Sequence, residues 1–75
     1  MPYIRPEQRD LLTAVTEGQL NYQITRLCIK FLGTNPGYES YNAVIGVLEC
    51  AKMEFYRRAV VPFEKKKCKQ NGDCY

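Results

Sequence analysis

The stretch YNAVIGVLECAKMEFYRRAVV, residues 41–61, decides the fold. Val44, Leu48, Ala51 and Phe55 recur at intervals of four, three and four, which is one face of a helix. Ile45, Val47 and Cys50 lie to either side, so the first half is apolar almost all round. A helix of that kind is buried between neighbours, from its own chain or another. Gly46 costs about 1 kcal/mol relative to alanine in a helix interior. A close helix crossing accounts for it, because a missing Cβ lets two backbones approach, and a dimer seam is one such crossing. The helix is expected to start near Glu39 or Ser40, with Ser40 as cap. Pro62 lacks an N–H and clashes with the preceding turn, so a stop or kink is expected near Val61.

Before this helix, Leu20, Ile24, Leu27 and Phe31 form a second stripe at helical spacing, widened by Cys28 and Leu32. They predict a helix over about Gln19–Leu32. Gly33-Thr34-Asn35-Pro36-Gly37 is a loop by composition. Earlier still, Pro6 and Glu7 suit a first turn, Leu11, Leu12 and Val15 give a short stripe, and Gly18 suits a helix end. A first helix over about Pro6–Glu17 follows. After Pro62 a short helix is expected over about residues 62–69, closed by Asn71-Gly72. The reading is all-α: one small domain over residues 1–75, three to four helices built round the long one, assembled as a homo-oligomer.

The case for assembly comes from size. A chain of 75 residues buries only about 60% of its unfolded surface. Small scaffolds recover stability through disulfides, a metal or association. Cys28 and Cys50 sit in apolar helical runs, where a free thiol behaves as a small hydrophobe. The opening MPYIRPEQRD has no apolar signal-like region, so free thiols in a reducing compartment are expected. Cys68 and Cys74 flank the Asn71-Gly72 turn and are the one pair placed to join if oxidised. With no histidine and no C-x-x-C pair, neither a metal nor another cofactor is expected. No apolar run approaches the roughly 20 residues of a membrane span. Association is left.

Charge is unevenly placed. Residues 1–54 carry five basic and six acidic groups, whereas residues 55–75 carry six basic and two acidic ones. Arg57, Arg58, Lys65, Lys66, Lys67 and Lys69 make the second segment an anion-facing candidate. A solvated helix end is the plainer alternative, since cations also suit a helix C-terminus.

Chemistry is sparse. Histidine, the commonest base near neutral pH, is missing. No nucleophile elbow, phosphate-binding glycine loop or zinc-protease pair occurs, so the chain is not expected to be an enzyme. Glu49 interrupts a run that otherwise reads as core. It shares a helical strip with Asn42, Gly46, Met53 and Tyr56. That strip is either exposed, or pairs within the chain with an arginine, or forms a polar pocket floor or seam anchor. Helix two repeats the theme with Asn21, Thr25 and Cys28 on one face and Tyr22 and Arg26 beside it, although Thr25 can also bond its own backbone. Facing strips would bring Asn21, Tyr22, Thr25, Arg26, Asn42, Glu49, Tyr56 and Arg57 to one shared ligand site. Glu54, Arg57 and Arg58 are spaced as ordinary helix-surface pairs. Tyr56 and Phe63 interleave with the basic segment, as stacking on nucleic-acid bases requires, though no recognised reading module is present.

Three segments carry a family resemblance: the opening MPYI, the stretch LNYQITRL at residues 20–27, and NAVIGVLECAKMEFYRRAVVPFEK at residues 42–65, with the close NGDCY. Together they resemble a family of small uncharacterised proteins encoded by tailed phages and prophages. The resemblance spans nearly the whole chain except the first helix and the glycine loop. This chain has Pro62-Phe63-Glu64 where that family has proline-tyrosine-glutamate, and Cys74 where it has valine, which makes Cys74 dispensable to a shared role. The resemblance implies a non-enzymatic accessory protein. Small phage proteins commonly counter host defences or modulate host enzymes, and some helical oligomeric ones sequester nucleotide signals between subunits. A seam lined by Arg26, Glu49, Tyr56 and Arg57 suits such a ligand, with arginine on phosphate and tyrosine on base. The expected function is therefore a homo-oligomeric phage or prophage accessory protein that binds a host-derived partner or a small anionic, nucleotide-like ligand. A small nucleic-acid-binding protein using the basic segment is the first alternative, and an enzyme subunit or structural accessory without a ligand the second.

Overall fold

Thr16 begins the first regular helix, and a capping box explains why it begins there. Its hydroxyl accepts from the Gln19 N–H at 3.1 Å, and the Gln19 side chain accepts from the Thr16 and Val15 N–H groups at 3.0 and 2.7 Å. Donors that a helix start otherwise leaves unpaired are thereby satisfied. The computed structural model describes residues 3–9 and 13–75. Helix α1 runs Glu17–Leu32, α2 runs Tyr38–Phe55, a π-helical turn spans Tyr56–Val60, and α3 runs Val61–Asn71. No strand occurs among the described residues, and the protein is all-α. No helix among them is long and apolar enough to cross a membrane.

Several boundaries differ from expectation. A first helix over residues 6–17 is not formed at its described positions: Pro6–Gln8 makes one 3-10 turn, and residues 13–16 are irregular. Asp10, Leu11 and Leu12 lie outside the described residues. Gly18 does not end a helix but sits in the first turn of α1, behind the Thr16 cap. Ser40 is not a cap either, because α2 already starts at Tyr38 and the Tyr41 N–H bonds the Gly37 carbonyl at 3.1 Å. The glycine loop stands as read. Gly33 closes α1 at φ 74°, a conformation that favours glycine, and donates to the Ile29 carbonyl at 3.3 Å.

Pro62 does not stop the long helix. The Val61 N–H reaches back five residues to the Tyr56 carbonyl, and Pro62 falls in the first turn of α3, where its missing N–H costs little. One extra residue is thus taken up in the turn before the proline. Gly72, at φ 88°, ends α3 by donating to the Cys68 carbonyl at 2.8 Å.

The chain divides into two units, Met1–Tyr41 and Asn42–Tyr75. In neither is a hydrophobic side chain buried among the described residues, and Gln19 is the one buried polar residue. The stripe read as the core of α1 is open, with Leu27 69% and Phe31 70% exposed. Its half-covered face is instead the semi-polar one bearing Tyr22, Thr25 and Cys28. Unit 2 likewise leaves Ile45, Val47, Met53 and Phe55 exposed. Apolar stripes at helical spacing therefore exist as read, but among the described residues neither unit buries its own.

Candidate functional site

On α1 the polar strip is spent locally. The Thr25 hydroxyl donates to the Asn21 carbonyl at 2.8 Å and lies 3.3 Å from Asn21 Oδ1, the backbone bonding open to a threonine inside a helix. Tyr22 is half-buried beneath Arg9, whose guanidinium carbon stands 5.9 Å from the ring centroid. Arg9 also donates to the Ile4 carbonyl at 2.9 Å, within the N-terminal segment. Arg26 is exposed.

The second strip lies along α2 and the π turn. Asn42, Glu49, Tyr56 and Arg57 are all exposed. Glu49 pairs with Lys52 at 3.5 Å, one turn along, rather than with an arginine. Arg57 Nη2 donates to both Glu54 carboxylate oxygens at 2.9 Å, and Arg58 Nε stands 3.6 Å from Glu54 Oε1, as the spacing predicted. Such exposed pairs contribute little, about 0–1 kcal/mol each. The α1 strip belongs to the first unit and this one to the second.

Tyr56 has a partner that spacing alone did not reveal. Its hydroxyl donates to Glu64 Oε1 at 2.9 Å, eight residues on. Residues seven apart, two turns on, share a face in an α-helix, and the extra residue of the π turn makes eight do the work of seven. The hydrogen bond to the Glu64 carboxylate, and then its negative charge, hold the tyrosine pKa above its ordinary value of about 10. Pro62 was the signal nearest this pairing, and it read as a stop or a kink.

The basic segment stands open. Lys65, Lys66, Lys67 and Lys69 are exposed, and among the described residues none has a carboxylate within 4 Å. Lys67 Nζ lies 5.7 Å from the Phe63 ring centroid. At the end of α3 a hollow of about 520 Å³ is lined by residues that include Phe63, Lys65, Lys67, Cys68, Cys74 and Tyr75. Cys28, Cys50, Cys68 and Cys74 are all free thiols.

No curated protein matches this chain, and no solved structure does. A family model does, over residues 1–74. The chain belongs to that family, described as Domain of unknown function (DUF6899).

Proposed function

We propose that the chain is a non-enzymatic phage or prophage accessory protein that self-associates and uses its basic segment to bind a small anionic, nucleotide-like ligand or a host-derived partner in the bacterial cytoplasm. The observation that carries the reading is the cationic run Lys65–Lys69, without an ion pair among the described residues and exposed on one helix with Tyr56 and Phe63 exposed beside it. Lysines with no internal carboxylate are free to meet phosphate, and a tyrosine face is free to meet a base. Self-association is supported by apolar side chains that stand exposed in each unit among the described residues, since exposed apolar surface marks interaction sites. The phage assignment rests on the resemblance carried by residues 20–27, 42–65 and 71–75.

Native mass spectrometry of protein purified gently from bacterial cells tests this. A nucleotide-sized mass retained on an oligomer supports the reading, and so does a stoichiometric host protein. A bare monomer contradicts it. The same exposed aromatics amid lysines favour nucleic acid as a second reading. There, affinity for a short single strand would fall steeply with salt, by about 0.7 log units per log unit of salt for each phosphate neutralised.

A further inference from the structure

The π turn has a geometric consequence for the apolar face of unit 2. In an uninterrupted α-helix, Phe63 would lie about 80° round from Phe55, since eight residues advance two turns and part of a third. One residue absorbed at Tyr56–Val60 sets Phe63 back to the phase of a seventh residue, within about 20° of Phe55. The Tyr56–Glu64 hydrogen bond, eight residues apart, records the same re-phasing independently. Ala59 occupies the intervening step. Val44, Leu48, Ala51, Phe55, Ala59 and Phe63 therefore form one seam with the three-and-four spacing of a coiled coil, carried across Pro62 rather than cut by it. Large and small side chains alternate along it, as interdigitating packing requires. Phe55 is 68% and Phe63 59% exposed.

Charge selects what covers the seam. From Tyr38 to Phe55 the helix carries Glu39, Glu49 and Glu54 against Lys52, a net of −2. From Tyr56 to Asn71 it carries Arg57, Arg58 and four lysines against Glu64, a net of +5. A single helix acidic in one half and basic in the other is complementary to itself only when reversed. Parallel pairing would set the two +5 halves side by side.

We propose that a second copy of this chain docks on the Val44–Phe63 seam with its helix antiparallel, the acidic half of each copy against the basic half of the other. This rests on the self-association proposed above and adds its surface and direction. The seam leaves Gly46 and Asn42, each two residues from it, and Glu49, one residue past Leu48, on the outer side of the pair. It also commits Phe63 to packing, so that any ligand base must stack elsewhere.

The native cysteines test the direction. Cys50 lies near the seam centre and Cys68 near its end. In the full chain with the other three cysteines changed to alanine, a spin label on Cys50 should meet its twin within about 20 Å. A label on Cys68 should lie roughly 40 Å from its twin, from a 1.5 Å rise per residue on both sides of the centre. Short distances at both sites mean a parallel pair, which overturns the inference and leaves self-association standing. A monomer overturns both. Phase is tested by Phe63→Ser against Met53→Ser, two equally exposed side chains, with helix content followed in parallel. Dissociation should rise on the order of tenfold or more for the first alone, whereas equal effects would remove the seam as drawn.

Discussion

Thr16 and Gln19 show how a single residue sets a boundary. Their reciprocal bonds satisfy donors at the start of α1, so Thr16→Ala should lower stability by about 1 kcal/mol in a urea titration. The signature T-x-x-Q is written in the sequence, but Gly18 between its ends reads equally as a helix stop, and that ambiguity hid it. Glycines divide in the same way by conformation. Gly33 sits at φ 74° and Gly46 inside a helix, and an added Cβ would meet no atom within 4 Å at either. Gly33→Ala should therefore destabilise by about 1–3 kcal/mol through backbone strain alone. Gly46→Ala should stabilise by about 1 kcal/mol, whereas a chain crossing closely at Gly46 would reverse that sign in a thermal melt. Tyr56 supplies a pH signature. Its hydroxyl is held neutral by Glu64, so its folded pKa lies above the unfolded value. The resulting stability is fully present below the unfolded pKa and is lost as pH rises through the folded one. Absorbance titration should show Tyr56 ionising at lower pH in Glu64→Ala, which removes both the acceptor and the charge, than in the native chain.

Among elements, periodicity carried the reading well and interruption carried it poorly. The stripes of α1 and α2, the glycine loop, the close at Gly72 and the Glu54 pairs were all legible, because each rests on local spacing or composition. Helix one was not formed at its described positions, since so short a helix is marginal in water by itself. Of the stop or kink expected at Pro62, the stop fails for a clear reason. The rule that proline breaks a helix assumes i→i−4 bonding, and a π turn ahead of it relieves that assumption. If proline imposes the turn, Pro62→Ala should let the segment return to α-helical register. Circular dichroism should then show equal or greater helix content. Self-association should nevertheless weaken as Phe63 rotates away, and unchanged association would mean that the turn does not serve the seam.

At the scale of the molecule, the sequence read a core and the structure holds none within either unit among the described residues. The difference is one of size rather than patterning. A short chain can write amphipathic faces correctly and still lack the second layer that covers them. The shared ligand site drawn from Asn21 to Arg57 was legible only as two strips, because relative helix orientation is not encoded in periodicity. Partners that bind only the folded chain stabilise it by mass action, so covering those faces ties stability to concentration. Sedimentation equilibrium of the full chain at tens of micromolar therefore tests the central claim most directly. The account predicts a species of two copies or more that dissociates on dilution. A stable, folded monomer at every concentration would contradict it.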